Sequence, residues 1–182
     1  MRKGKTDIDG LFIIENEFFS DERGLFYESW NKKKILELNI DIDFKQDNIS
    51  VSKNKVIRGL HFQKEPFSQS KLVQVVHGKV MDVIVDLRKE SKTFKKHEKI
   101  ILSGKDKNMI LIPKGCAHGF LSMEENTIFS YKCSKYYNKE SEVTILWNDP
   151  DLGINWNEEN PIISKKDQNG LSLKEIINKK YI

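Results

Sequence analysis

Short runs of β-branched and aromatic residues, each closed by a turn signal, follow one another along most of this chain, and that rhythm restricts the fold more than any other feature. Leu11–Ile14 and Gly24–Trp30 open the series, the latter after a turn-like Ser20-Asp21-Glu22-Arg23-Gly24. Phe44–Val51, Val56–Gln63, Lys71–His77, Lys79–Leu87 and Lys99–Leu102 continue it, then Met109–Ile112, Gly119–Met123, Thr127–Lys132 and Val143–Trp147. Gly78, Gly104 and Gly115 punctuate the runs. Lys79–Leu87 sets Val80, Asp82, Ile84 and Asp86 against Met81, Val83, Val85 and Leu87, which suits a strand with two different faces. Only two helices are expected. Asn31–Leu38 has Asn31 as its cap and Ile35, Leu36 and Leu38 as a partial apolar face, and Leu171–Lys179 follows Asn169-Gly170. Many short strands with few helices predict an all-β sandwich or barrel. Jelly rolls, including cupins, belong to that class and hold ligands in the barrel mouth.

No internal repeat, low-complexity tract or linker divides the sequence, and its four prolines are scattered, so residues 1–182 are expected to form one domain. Lys and Arg number 31 against 27 Asp and Glu, a formal charge of +4. The basic residues lie among acids without the clustered stripe of a dedicated nucleic-acid binder, so no nucleic-acid partner is expected. No run approaches a membrane span and the first residues are polar, so the expectation is a cytoplasmic protein with no membrane partner. The two cysteines, Cys116 and Cys133, are then expected as free thiols.

Four segments carry candidate chemistry. In Val56–Gln63, strand alternation puts Arg58, Leu60 and Phe62 on one face and Gly59, His61 and Gln63 on the other. Gly59 would then let a ligand approach the backbone beside His61. In Ile112–Phe120 a tight Pro113-Lys114-Gly115 turn delivers His118 at a strand start. Pro-x-Gly-x-x-His resembles the second cupin motif, but His61-Phe62-Gln63 lacks the second imidazole of the first motif. Two histidines without a third ligand make a poor transition-metal site, so no metal is expected. His77 and His97 read as solvated. The Ser130-Tyr131-Lys132-Cys133 run with Tyr136-Tyr137 supplies phenols that are ordinary strand residues or proton donors. Leu146–Pro150 reads as a turn.

Taken together, these pieces resemble the dTDP-4-dehydrorhamnose 3,5-epimerases, cofactor-free cupin-type epimerases of nucleotide sugars. The resemblance runs from about Leu11 to about Leu173. It is carried by Asp21-Glu22-Arg23-Gly24, Gln46-Asp47-Asn48, Arg58–Gln63, Lys71-Leu72-Val73, Asp82–Arg88, Ala117–Phe120, Leu146–Asp149 and Ser164–Asp167 in that order. It implies an all-β cupin-type jelly-roll barrel and no cofactor. His61 is implied as general base, Tyr131 as proton donor, Asp167 as the partner of His61, and Lys71 beside the keto oxygen. Arg23, Glu28, Gln46, Asp47, Asn48, Arg58, His118, Glu142 and Lys166 match substrate-contacting positions, and Tyr137 matches the aromatic that stacks on thymine. The resemblance also implies a homodimer with N-terminal strands exchanged, in which Arg23 and Glu28 serve the neighbour's site. Cys116 and Met81 depart from the family's usual aromatic or leucine and read as packing changes.

The expected activity is conversion of dTDP-4-keto-6-deoxy-D-glucose to dTDP-4-keto-L-rhamnose. Epimerisation of another nucleotide 4-keto sugar, such as a GDP-4-keto-heptose, or of one centre only, is the alternative, ahead of a non-catalytic or metal-dependent cupin. The chemistry suits the residues. Hydrogens on C3 and C5, beside a C4 ketone, are acidic because the anion spreads onto oxygen. Inversion needs a base on one face, an acid on the other and a charge that steadies the enolate. Arginine forks suit the two phosphates, which assigns Arg23 and Arg58 to them.

Overall fold

A computed structural model describes residues 1–182. In chain order its elements are β1 (Arg2–Lys5), β2 (Phe12–Glu15), β3 (Phe18–Asp21), β4 (Gly24–Tyr27), α1 (Lys32–Glu37), β5 (Gln46–Ser52), β6 (Val56–Gln63), β7 (Lys71–His77) and β8 (Lys79–Asp86). They continue with β9 (His97–Ser103), β10 (Met109–Ile112), β11 (Cys116–Ser122), β12 (Thr127–Cys133), β13 (Glu142–Thr144), β14 (Ile162–Ile163), α2 (Lys165–Gln168) and α3 (Leu173–Asn178). One sheet has the order β1-β2-β10-β7-β12-β5; the other runs β13-β6-β11-β8-β9, with β14 parallel to β6. The two sheets make the expected all-β, cupin-type jelly roll, and β3–β4 forms a separate hairpin.

The period-2 pattern divides the apolar side chains into layers. Between the sheets, Val73, Val75, Val80, Ile84, Ile110, Ile112, Phe120 and Phe129 form the barrel core. On the other face of the second sheet, Ile57, Leu60, Phe62, Met81, Val83 and Val85 pack under the C-terminal segment, which brings Ile154, Trp156, Leu173 and Ile176. On the outside of the first sheet, Leu72, Met109 and Leu111 are covered by Ile35 of α1 and by Ile40. Both faces of β8 are therefore buried, and its two aspartates lie inside the protein. Asn31 caps α1 by accepting from Lys34 N–H, and Ser172 and Glu175 form a capping box at α3. Cys116 and Cys133 are buried and unpaired, and burial pushes the Cys116 thiol up to about 12.

Two local expectations are corrected. First, His118 lies inside β11, which begins at Cys116, because β8 pairs with that strand from Cys116 onward. Second, Arg58 does not share a face with Leu60 and Phe62. His118 pairs with His61 while Phe120 pairs with Arg58, so β6 carries one extra residue against β11. Arg58 and His61 consequently point the same way, and Ile57, Leu60 and Phe62 join the outer core. Gly59 sits at this irregularity with φ +124°. A Cβ there would meet Gly119 Cα at 2.5 Å and His118 O at 2.8 Å, so the glycine serves strand packing, not ligand approach. The strands β1 and β3 and the helix α2 had no apolar period to announce them. No helix is long and apolar enough to cross a membrane.

Gly59→Ala is therefore expected to destabilise the fold by at least about 1–3 kcal/mol, the usual cost of a side chain forced into such a backbone conformation. Urea unfolding measures it; an unchanged midpoint would contradict the packing argument.

Candidate active site

One end of the barrel interior is filled by apolar side chains. The other holds a cavity of about 570 Å³. Its wall includes Arg58 and His61 from β6, Lys71 from β7, His118 and Phe120 from β11, and Phe129 and Tyr131 from β12. Glu142 of β13 and Ser164, Lys166 and Asp167 at α2 close the rim. A smaller chamber of about 80 Å³ shares His61, Lys71, Tyr131 and Glu142 and adds Asn48, Gln69, Cys133 and Tyr137. Strand alternation explains the set: Lys71 lies two residues from Val73, and Tyr131 two from Phe129, so each continues the inward-facing row of the core.

His61 is held by Asp167, with Nε2 and Oδ1 2.6 Å apart. Ser164 caps the short α2 and accepts from Asp167 N–H, which fixes the aspartate in the first turn beside β6. Burial raises the Asp167 carboxyl, but the hydrogen bond and charge of His61, helped by the Gly59 N–H, outweigh it and leave the group below the usual carboxylate range. A carboxylate only accepts, so the ring nitrogen facing it carries hydrogen. In the neutral form of a ring oriented in this way, the other nitrogen holds the lone pair that can take a proton. Burial raises the Tyr131 phenol, which keeps it protonated and able to give one.

Lys71 forms none of the ion pairs in the chain, and burial lowers its ammonium below the usual lysine range. His118 is likewise lowered by burial, against the opposing pull of Asp82, whose Oδ1 lies 2.7 Å from Nε2. His118 also stacks on Phe129, with centroids 5.9 Å apart. At the rim Glu142 pairs with Lys166 at 2.7 Å and accepts from the Tyr137 hydroxyl at 3.1 Å. Burial raises Glu142, but the Lys166 hydrogen bond and charge leave it below the ordinary range. Arg58 donates to Ser52 Oγ and Val51 O, so its guanidinium is steered along the cavity mouth.

Most of the residues singled out in the sequence thus meet at one place: His61, Lys71, Tyr131, Asp167, Arg58, His118, Glu142 and Lys166 in the larger cavity, Asn48 and Tyr137 in the smaller. Gln46 stands behind them, donating to Asn48 and accepting from Tyr137 N–H, while Asp47 pairs outward with Lys132. Arg23 and Glu28 are elsewhere. Arg23 is on the β3–β4 hairpin, bonded to Asp21, and Glu28 is bonded to Lys34 and Asn31. His77 is exposed and His97 half-buried. Ser50, Gln69 and Asp82 were not singled out. Ser50 follows Asn48 by two residues on β5, a spacing that places both on the inner face. No group of three or more His, Cys, Asp or Glu side chains is placed to hold a metal ion.

The sequence model of the dTDP-4-dehydrorhamnose 3,5-epimerase family matches residues 5–175. A curated dTDP-4-dehydrorhamnose 3,5-epimerase from Methanothermobacter thermautotrophicus is 45% identical over 174 residues, 94% of each chain. Among solved structures, the dTDP-4-dehydrorhamnose 3,5-epimerase of Elizabethkingia anophelis superposes with a TM-score of 0.90 at 47% identity, covering 96% of this chain and 97% of the other. The dTDP-6-deoxy-D-glucose-3,5-epimerase of Legionella pneumophila, solved in complex with dTDP-4-keto-L-rhamnose, gives a TM-score of 0.92 at 45% identity, covering 96% and 94%.

Asp167→Asn tests the pairing with His61. A carboxyl whose folded pKa is depressed stabilises the fold above its unfolded value, and that contribution fades as pH falls through the folded value. The wild-type advantage over the variant in urea unfolding is expected at neutral pH and should shrink below about pH 3.9. A difference independent of pH would mean that the ionised pair contributes nothing.

Proposed function

The chain belongs to the dTDP-4-dehydrorhamnose 3,5-epimerase family, and from that premise we propose that it inverts C3 and C5 of dTDP-4-keto-6-deoxy-D-glucose to give dTDP-4-keto-L-rhamnose. The observation that carries the reading is the meeting of the His61–Asp167 pair, the Tyr131 phenol and the unpaired Lys71 ammonium in one cavity.

In this reading the free nitrogen of His61 takes the hydrogen of the carbon beside the ketone. The electron pair of that C–H bond moves into the ring, and the carbonyl π pair goes to oxygen as an enolate. Lys71 faces the developing charge, and a preorganised cation in a site of low dielectric is among the stronger means of stabilising it. Tyr131 protonates the carbon from the opposite face, the carbonyl re-forms, and the centre is inverted. Asp167 steadies the imidazolium between steps. The sequence repeats at the second carbon after His61 returns its proton to solvent and Tyr131 regains one. The steps need acid, base and a positive charge, and no electron acceptor.

Arg58 and His118 are assigned to the diphosphate and sugar, Glu142 and Lys166 to the rim, Gln46, Asp47 and Asn48 to the nucleoside side, and Tyr137 to stacking on the base. Residues 1–182 act in this reading as one cupin-type unit, and two copies pair. Support for pairing comes from the β3–β4 hairpin, where Phe19 and Phe26 are each 66% exposed. Such a pair of exposed phenylalanines is costly in water. The hairpin crosses to the neighbour, bringing Arg23 and Glu28 to that subunit's cavity.

Incubation in D₂O with dTDP-4-keto-6-deoxyglucose, followed by NMR, tests the reading: deuterium is expected at both C3 and C5. Label at C3 alone would reduce the enzyme to one centre, and labelling only of a GDP-4-keto-heptose would overturn the nucleotide assignment. His61→Ala should lose at least about 100-fold in turnover; near-normal rates would remove His61 from the role of base. Tyr131→Phe should impair inversion more than exchange, and equal loss of both would contradict a donor on the opposite face.

A further inference from the structure

Gln63 takes no part in the proposed proton transfers, yet it closes the segment that carries His61, at the place where the first cupin motif has its second imidazole. It is the last residue of β6, 5% exposed, and it lines the smaller chamber with Lys71 and Tyr137. Its carboxamide turns to the segment between β12 and β13. Nε2 donates to Phe67 O at 2.8 Å and to Tyr136 O at 3.3 Å, and Oε1 accepts from Asn138 N–H at 2.7 Å. These partners fix which way the amide faces, since a carbonyl only accepts and a backbone N–H only donates.

The loop has few other means of holding its shape. Lys135, Tyr136 and Tyr137 make no backbone–backbone hydrogen bond. Tyr136 and Tyr137 are 65% and 55% exposed, so packing holds their rings only in part. Two glutamines fix the Tyr137 backbone instead. Gln63 grips the carbonyl before it and the N–H after it, and Gln46 of β5 accepts from its own N–H at 2.9 Å. Glu142 accepts from its hydroxyl. A carboxamide suits the inner grip because it sets donors and an acceptor side by side, as a neighbouring peptide would. A carboxylate would lack the donor, and a neutral imidazole offers one donor for two carbonyls.

We propose that Gln63 is a positioning residue for the nucleoside: its carboxamide holds the Tyr137 backbone so that the ring stands ready at the smaller chamber before the substrate arrives. The place of an imidazole in the first cupin motif is thus taken by an amide that organises a loop. An aromatic platform ordered in advance spares the ligand the cost of ordering it. The binding consequence rests on the assignment of Tyr137 to the base; the loop clamp stands without a substrate.

Gln63→Met keeps the length of the side chain and removes both polar ends. Amide hydrogen exchange of the free protein, read by ¹⁵N NMR, tests the clamp. In the wild type the Tyr137 and Asn138 N–H groups should exchange more slowly than those of Lys135 and Tyr136, which have no backbone acceptor. In Gln63→Met the Asn138 amide should exchange at least about fivefold faster, and an unchanged rate overturns the proposal. Should the variant fail to fold, the wild-type pattern decides, and equal exchange at all four amides contradicts the clamp. The dissociation constant of dTDP, by calorimetry, should rise roughly five- to thirtyfold in Gln63→Met, the factor that loss of one or two such bonds carries. KM should rise more than kcat falls. Tyr137→Ala separates positioning from general support of the fold. In that background Gln63→Met should weaken dTDP binding by less than about twofold, because both residues act through one ring. An equal loss with and without the Tyr137 ring overturns the positioning role. If Tyr137→Ala alone leaves dTDP binding intact, the stacking assignment fails and the binding consequence with it, and the exchange rates alone decide the clamp.

Discussion

The site depends on the contact between two glycines. Gly59 on β6 and Gly119 on β11 approach so closely that neither strand tolerates a side chain there. The extra residue that β6 carries at this point changes which side chains face inward. Without it, regular alternation would put Arg58 on the apolar side with Leu60 and Phe62. With it, Arg58 and His61 both enter the cavity, and three apolar neighbours are returned to the outer core. Local disruption of the ladder is a common way for a sheet to re-aim functional groups, and here it sets the Arg58 guanidinium and the His61 ring in the wall of one cavity.

The interior is divided between two kinds of compensation. In the apolar half, rings and branched chains fill space. In the polar half three ion pairs stand out: His61 with Asp167, His118 with Asp82, and Glu142 with Lys166. Lys71 joins none of them. Its charge is unspent within hydrogen-bond reach, and burial makes it eager for an anion. In the proposed reaction such a cavity binds an enolate better than a neutral ketone, and it is that difference in binding which speeds a reaction.

Much of the fold was legible in the sequence because strand runs with β-branched residues need no tertiary information. The limits of β6 and the cap of α1 at Asn31 follow from side-chain pattern and hydrogen-bonding chemistry alone. The helix α2 was not legible. Its four residues, Lys-Lys-Asp-Gln, have no apolar face, and what holds them is Ser164 capping and the buried Asp167. The facing of Arg58 was misread because a bulge is set by the partner strand. The roles of His61, Tyr131 and Lys71 were suggested by family resemblance. Their meeting from β6, β12 and β7 depends on pairings between residues far apart in the chain, which no local pattern encodes. Asp82 lies on the same side as Val80 and Ile84, and its burial there is met by pairing with His118, a partner from another strand that no local pattern shows.

The central claim is that an imidazole and a phenol stand on opposite sides of a bound 4-keto sugar, with an ammonium at its carbonyl. A crystal structure with a bound dTDP-linked sugar tests it most directly. The account predicts His61 and Tyr131 within about 3.5 Å of the ring carbons on opposing faces, and Lys71 at the C4 oxygen. A sugar held with both groups on the same face, or seated outside this cavity, would contradict it.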